Sequence, residues 1–143
     1  AAASFTIGSS LLTGTKGTLG YQQLVEFWAQ FDPYELNCFL MNTGTMVKML
    51  GLTEFQNPLT GLNFQGTGAL STPLGAELLR ASCVDASKII GLDRRYALEM
   101  VQAGDVTVEY DKLIDRQLER AAITSISGFG KIMPEAAKVL VIG

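Results

Sequence analysis

Four carboxylate side chains that lie close together in the sequence are the first candidates for chemistry: Asp105, Glu109, Asp111 and Asp115. A catalytic carboxyl pair needs one member desolvated, so that it keeps its proton, and the other ionised. Glu109 and Asp111 would share one face of a strand, but no neighbouring sequence would desolvate one of them alone. Because Lys112, Arg116 and Arg120 are interleaved with these acids, the pattern predicts a solvated or ion-paired face. The acids also lack the Asp-x-Asp-x-Asp-Gly spacing of a calcium-binding loop.

Two glycine-rich stretches invite comparison with phosphate-binding loops, which need a Lys-Ser/Thr pair after the last glycine. The segment Gly8–Thr15 lacks that pair, and no strand of useful length precedes it. In Gly128–Lys131 the lysine is followed by Ile132 instead. We interpret both stretches as turns and predict neither a nucleotide site nor a cofactor.

The only compact charged triplet is Asp93-Arg94-Arg95. The forked guanidinium donors of arginine suit an ion pair between subunits. The alternative is a solvated strand end, and the sequence does not decide between the two.

The composition removes several function classes. At 143 residues the chain fits one domain, which would bury roughly 68–70% of its unfolded surface. It contains no histidine, which excludes Ser-His-Asp and Cys-His arrangements and the usual zinc sites. The net charge of −3 argues against a nucleic-acid-binding face. Cys38 and Cys83 have apolar sequence neighbours, as expected of reduced core residues rather than of a disulfide or a metal pair.

Charged side chains are scarce and unevenly distributed. They make up 17% of the chain, against about 25% for an average globular domain, and 14 of the 25 lie in Asp85–Arg120. Because charge is depleted at subunit interfaces, the scarcity predicts a surface that is largely covered by other subunits. No apolar run reaches the length of a membrane span, and Ala1–Leu12 has no initiator Met or basic n-region. We therefore expect a soluble protein, and a fragment or processed piece.

Apolar residues recur at helical spacing near the start of the chain. A helix is predicted from Thr18 to about Phe31, where Asp32-Pro33 ends it. Its aromatic residues Phe27, Trp28 and Phe31 are expected in the core rather than at a ligand platform. A strand buried on both faces is predicted at Asn37–Met41. A second helix from Thr43 to Leu50 is expected to close at Gly51.

The rest of the chain is predicted to be mostly extended. Glycine and proline, which interrupt helices and strands, are too frequent in Asn57–Gly75 for a regular element. Strands are predicted at four positions: Leu78–Val84, Lys88–Leu92, Ala97–Val101 and Val106–Tyr110. Leu113–Ala121 shows a helical stripe, Ile123–Ile132 is extended, and an apolar tail ends the chain at Val139–Ile142. The fold class is therefore α+β, a small mixed β-sheet flanked by two or more helices.

Seven short sequence motifs occur in a characteristic order along the chain. They are the predicted helix Tyr21–Phe31, the predicted strand and its continuation Asn37–Thr43, and the segments Leu50–Leu52, Pro58–Phe64, Lys88–Asp93, Gly104–Glu109 and Met133–Leu140. Their order and spacing resemble the second half of the major capsid proteins of tailed bacteriophages, whose fold is shared with encapsulin shells. The resemblance spans Leu19–Ile142. It rests on the order of the motifs, because each motif alone has little specificity for the family.

The resemblance implies a domain organisation within one compact domain. Residues 1–17 would be an irregular lead-in, residues 18–112 an axial-like domain, and residues 113–143 a return segment towards the peripheral domain. A long return strand conflicts with the helical stripe at Leu113–Ala121, and we expect a strand from about Arg120 onward. The family's amino-terminal arm, extended loop and spine helix would precede residue 1. Some relatives crosslink a loop lysine to an asparagine in the region that Val106–Lys131 matches. The resemblance implies no such isopeptide bond here, because Val106–Lys131 contains no Asn.

The resemblance also implies a structural, non-enzymatic role, as a self-assembling subunit of an icosahedral bacteriophage or prophage capsid. Such a subunit would be assembled in the bacterial host cytoplasm and located in the virion. The expected partners are copies of the chain in pentamers and hexamers, together with scaffolding or decoration proteins, and neither a membrane nor a specific nucleic acid. The turn Asn57–Gly75 and eight charged residues are the candidate inter-subunit contacts: Asp93, Arg94, Arg95, Asp111, Asp115, Arg116, Glu119 and Arg120. Two alternatives stay open, an encapsulin-type compartment shell and a small-ligand enzyme that uses the Asp105–Asp115 carboxylates.

Overall fold

The apolar runs predicted as buried strands meet in one mixed sheet. In chain order the elements are β1 (Ala3–Thr6), α1 (Tyr21–Ala29), β2 (Cys38–Met41), α2 (Thr43–Leu50), α3 (Thr53–Gln56), β3 (Leu70–Ser71), β4 (Glu77–Arg80), β5 (Lys88–Leu92), β6 (Leu98–Gln102), β7 (Thr107–Leu113), β8 (Leu118–Thr124), β9 (Ser127–Lys131), a 3-10 helix (Pro134–Ala136) and β10 (Ala137–Val141). The computed structural model describes residues 2–56, 70–71, 74–113 and 118–143. Six strands form the main sheet in the order β1-β10-β5-β2-β4-β3. Strand β2 pairs parallel with β4 and antiparallel with β5, which confirms the mixed sheet of the α+β prediction.

Alternating residues of this sheet supply two separate apolar clusters. The larger cluster joins the sheet residues Phe39 and Ile89 to Leu24 and Phe27 of α1 and to Met49 of α2. The rings of Phe27 and Phe39 are stacked with their centroids 6.5 Å apart. The smaller cluster takes the alternate residues of the same strands together with the chain around the 3-10 helix: Cys38, Leu92, Ala97, Ala136 and Ala137. Strand β2 therefore has apolar neighbours on both faces, as its continuous apolar run predicts.

Helix α1 is shorter than predicted, and one of its aromatic residues is not in the core. The helix begins at Tyr21, and its N-cap residue is Gly20 rather than the predicted Thr18. Phe27 and Phe31 are buried as expected, but Trp28 is 47% exposed, which corrects the prediction for that residue. Leu24 and Phe27 are the buried residues of the helix, and Trp28 lies about 70° around the helix axis from the midpoint between them. The second helix does match, since α2 begins at Thr43 after its cap Asn42 and ends before Gly51.

The amino-terminal segment is more ordered than an irregular lead-in. Strand β1 pairs parallel with β10, at the opposite end of the sequence. The following loop is attached to α1 by Glu26, whose carboxylate accepts hydrogen bonds from the Thr13 amide at 2.7 Å and the Thr13 hydroxyl at 2.5 Å. These hydrogen bonds lower the pKa of Glu26. Ile7 and Leu12 thereby reach the larger cluster, a contact that the Gly, Ser and Thr content of the segment conceals.

Residues 98–132 form a separate unit built of nested antiparallel strands. Strand β6 pairs with β9 and strand β7 pairs with β8. The helix that the apolar spacing predicts at Leu113–Ala121 is therefore wrong for the described residues. Leu118–Ala121 belongs to β8 and pairs with β7. Cross-strand hydrogen bonding overrides the helical spacing of the apolar residues.

The division into units differs from the expected one compact domain. The first unit comprises Ala1–Ala97 and Met133–Gly143, and the second comprises Leu98–Ile132. The expected boundary at residue 113 falls within the second unit, and β10, expected in the return segment, pairs with β5 inside the first unit. The β10 strand completes the sheet that the earlier strands begin, so sheet pairing rather than chain order sets the division.

Gly91 provides a test of the packing between β5 and α1. A Cβ atom at position 91 would lie 2.8 Å from both Leu36 Cδ1 and Phe27 Cε1, and 3.0 Å from Phe31 Cζ. We expect Gly91→Ala to lower the unfolding free energy by about 1–3 kcal/mol, measured by urea denaturation, because the added methyl group overpacks the core. Gly44→Ala in α2 is the matched control: its nearest contact would be 3.9 Å, and it should leave stability unchanged or raise it by up to about 1 kcal/mol. Equal stability of the two variants would contradict the packing described.

Candidate functional site

Asp93, the first residue of the charged triplet, is fully buried just after β5. Its Oδ1 accepts hydrogen bonds from the Asn37 side-chain amide and from the Arg95 backbone amide, both at 3.0 Å. Its Oδ2 accepts from the Glu35 backbone amide at 3.2 Å and from the Arg95 guanidinium at 3.3 Å. Asp93 is therefore bound within its own chain and presents no free carboxylate oxygen.

The protonation of Asp93 reflects two opposing effects. Burial by itself raises the pKa of the Asp93 carboxyl. The hydrogen bonds from Arg95 and from the Glu35 amide, together with the positive charge of Arg95, outweigh burial and hold the pKa below its usual value. The same hydrogen bond and charge raise the pKa of Arg95. The carboxylate is thus ionised at neutral pH and compensated on both oxygens.

The two arginines of the triplet also find partners in the chain. Arg94 pairs with Glu77 at 2.5 Å and Arg95 pairs with Glu35 at 2.7 Å. Their side chains are 47% and 55% exposed, so each retains surface that a neighbouring subunit could contact. An inter-subunit role stays a prediction for Arg94 and Arg95, whereas Asp93 is fully buried and has no surface for such a contact.

Three of the other candidate contacts lie on the hairpin of β7 and β8: Asp111, Glu119 and Arg120. Asp111 is directly opposite Arg120, and Lys112 is directly opposite Glu119. Opposite charges in such positions stabilise a hairpin by roughly 0.2–1 kcal/mol per pair. All four residues are exposed. Asp115 and Arg116 lie outside the described residues, as does most of the turn Asn57–Gly75.

The acid–base alternative depends on the surroundings of Glu109 and Asp111. An open depression of about 760 Å³ is lined by residues from both faces of the β7–β8 ladder: Glu109, Tyr110, Asp111, Arg120, Ala121 and Ala122. All of them are exposed, so neither carboxylate is desolvated relative to the other. The arrangement gives this alternative no support.

The remaining sequence candidates have local roles. The amide of Gly8 donates to the Leu12 carbonyl at 2.8 Å, and the Thr13 amide is bound by the Glu26 carboxylate, whose charge would repel a phosphate. Cys38 is buried, and burial raises the pKa of its thiol, whereas Cys83 is exposed, contrary to the prediction. Within the described ranges, no group of acidic or cysteine side chains could hold a metal ion. None of the helices there combines the length and apolar character needed to cross a membrane.

The feature that sequence reasoning missed is an exposed apolar surface on the hairpin unit. Of the fifteen large hydrophobic side chains that are exposed in the described chain, ten lie in residues 98–132. The most exposed are Tyr110 at 80%, Phe129 at 77% and Ile123 at 73%. The signal was present in the alternation of Val106, Val108 and Tyr110, which predicted a half-exposed strand but not which face would lack a cover.

Replacing Asp93 tests the buried charge. We expect Asp93→Asn to lower the unfolding free energy by about 3–5 kcal/mol, because it leaves the inward-facing donors without a charged acceptor. Since the folded-state pKa of Asp93 is depressed, its contribution is present above the unfolded value of about 3.9 and is lost as the pH falls through the lower folded value. Urea denaturation between pH 7 and pH 2 should therefore show a smaller decline in the variant than in the wild type. Parallel curves would contradict the assignment.

Comparisons with known proteins give a fold. No protein-family model and no curated protein matches the sequence. Among solved structures the chain is similar to the crystal structure of a virus-like particle from Pyrococcus furiosus, with a TM-score of 0.54 and 12% sequence identity. The match covers 97% of this chain and 56% of that chain, so this chain spans little more than half of that protein's length. At this identity the likeness shows the fold alone: the α+β fold predicted from the sequence is confirmed, and it is similar to that of the virus-like-particle protein.

Proposed function

We propose that this chain is a structural, non-enzymatic shell subunit that assembles with copies of itself. The observation that carries the proposal is the uncovered apolar face of the hairpin unit, and the fold likeness to a virus-like particle supports it. Large contiguous apolar surface on a soluble protein marks a contact with another molecule. In a shell, repeated contacts of modest size close into rings around symmetry axes.

Each ladder of the hairpin unit has one face that is richer in apolar residues. In the β6–β9 ladder, Met100 is directly opposite Phe129, and Leu98 shares their face. In the β7–β8 ladder, Val108 is opposite Ile123, and Tyr110 is the next residue on that face. An isolated two-stranded hairpin is marginally stable at best in water, so a covering surface would stabilise it as well as hold the subunits together.

The finer parts of the proposal follow the family resemblance. Residues 18–112 act as the axial-like domain around the axis of a pentamer or hexamer, and residues 113–143 as the return segment towards the peripheral domain. The shell is that of a bacteriophage or prophage, with scaffolding or decoration proteins as further partners and the virion as its location. An encapsulin-type compartment is equally compatible with a virus-like-particle fold. Purified particles distinguish the two by their contents, packaged DNA for a phage capsid and enclosed protein for a compartment.

Electron microscopy of the full gene product tests the proposed function. Particles of uniform diameter are expected, and a persistent monomer with turnover of a small substrate would overturn the proposal.

The double variant Tyr110→Ser/Ile123→Ser should raise the assembly threshold concentration at least about tenfold, since each buried apolar side chain contributes about 1.5–3 kcal/mol. Val47→Ser, which alters a residue that is 66% exposed on α2, is the control and should assemble normally. Normal assembly of the double variant would remove the hairpin face from the proposal.

The charged candidates make a separate prediction about ionic strength. We propose that five exposed members of the set also pair between subunits: Arg94, Arg95, Asp111, Glu119 and Arg120. The proposal extends to Asp115 and Arg116, which lie outside the described residues. Arg120→Ala should then weaken assembly at low salt by a few-fold and flatten its salt dependence, because exposed pairs are weak and screened. Light scattering at 50 and 500 mM salt measures both effects, with Lys48→Ala on α2 as the control. An unchanged salt dependence for Arg120→Ala would exclude Arg120 from the contacts.

A further inference from the structure

A cleft beside Trp28 combines an exposed indole with two carboxylates. The cleft measures about 290 Å³, near the lower end of ligand-binding pockets, and is lined by Trp28, Ala29, Asp32, Tyr34 and Glu35. A second cavity of about 270 Å³ shares two of these residues and is lined by Trp28, Glu35, Leu36, Asn37, Leu74 and Gly75. Because Trp28 and Glu35 line both cavities, the two cavities are neighbours on the first unit.

The walls of the cleft are fixed by contacts deeper in the fold. The Tyr34 amide donates to the Phe31 carbonyl at 2.6 Å, and the Glu35 amide donates to the buried Asp93 carboxylate. The Tyr34 ring packs against Tyr96 with centroids 5.9 Å apart. The segment from α1 to β2 is therefore held in place before any ligand arrives, and a preorganised site does not lose binding free energy to ordering its own walls.

The charge of the cleft is negative. Glu35 is paired with Arg95 at 2.7 Å, which compensates much of its charge. The Asp32 carboxylate makes no hydrogen bond or ion pair with any part of the chain that the structure describes. Among the described residues that line the two cavities there is no lysine or arginine. The lining of the cleft thus combines an uncompensated carboxylate with an exposed indole.

This combination selects one kind of cation. The face of a tryptophan ring attracts positive charge more strongly than that of tyrosine or phenylalanine. A planar guanidinium can stack on such a face while its forked N–H groups bind a carboxylate, whereas the compact ammonium of lysine cannot do both equally well. We propose that the cleft binds the guanidinium group of an arginine side chain carried on a polypeptide, with the flanking residues of that polypeptide in the adjoining cavity. The proposal does not rest on the shell function, since it concerns a site within one subunit.

Trp28 is the only tryptophan of the chain, so its fluorescence reports on this site alone. Titration with the blocked peptide acetyl-Gly-Arg-Gly-amide should give a saturable change in emission. The matched peptide with neutral citrulline in place of arginine should give none at equal ionic strength. Asp32→Asn should weaken the arginine peptide at least about threefold. Asp105→Asn, which removes an exposed carboxylate from the other unit, should bind as the wild type does.

Each arm has an outcome that contradicts the proposal. An equal response to the citrulline peptide would show that the charge is not recognised, and this comparison uses the wild-type protein, so it does not depend on a variant folding. Unchanged affinity in Asp32→Asn, with a wild-type circular dichroism spectrum, would show that Asp32 is not the acceptor. Arginine amide alone should bind more weakly than the peptide. If it binds as tightly, the assignment to an arginine on a polypeptide is wrong.

Discussion

The first unit is organised around one buried, ionised carboxylate. An ionised side chain without compensation in the interior costs several kcal/mol, so the chain around Asp93 must supply donors from every side. The segment before β2 supplies the Glu35 amide and the Asn37 side chain, and the turn after β5 supplies Arg95. The backbone of Asp93 contributes as well, since its amide donates to the Ala136 carbonyl at 2.9 Å and its carbonyl accepts from the Ala97 amide at 2.9 Å. The points at which the chain leaves this unit and returns to it are thereby joined at one residue.

The two units differ in how far they can bury their apolar side chains. The first unit has a sheet with helices on one face and can bury its large side chains, such as Phe27, Phe39 and Ile89. The second unit has only two-stranded ladders, and a two-stranded ladder has no layer of its own to cover either face. The low charge of the chain, which predicted contact with other subunits, is thus accompanied by exposed apolar residues mainly in residues 98–132. Some of the charges pair within the chain, as Asp85–Lys88 and Arg94–Glu77 show.

The sequence predicted those elements whose patterns are local. The strand at Lys88–Leu92 and the helix that begins at Thr43 match the structure because their residues carry both the apolar pattern and the flanking turn signals. The pairing of β1 with β10 could not be predicted, since it joins segments more than a hundred residues apart and the first has little apolar character. The burial of Asp93 was also beyond reach, because a charged triplet in sequence gives no indication that its donors come from residues 35–37. Trp28 was misplaced for a related reason: helical spacing identifies an apolar stripe but not which of its edges the sheet covers.

A bulge separates the hairpin unit into two ladders. Between the pair Gln102–Ser127 and the pair Thr107–Thr124, one strand has four residues and the other has two. The Ala103 amide still bonds the Ile126 carbonyl, so the extra residues lie at Gly104–Val106, where Gly104 has a positive φ of 86°. Such a bulge bends the ladder and ends the pairing, as the separation into two sheets shows. Each ladder therefore has its own apolar face, with Met100 opposite Phe129 in one and Val108 opposite Ile123 in the other. Because neither ladder has a layer of its own to cover that face, each depends on a contact outside the hairpin.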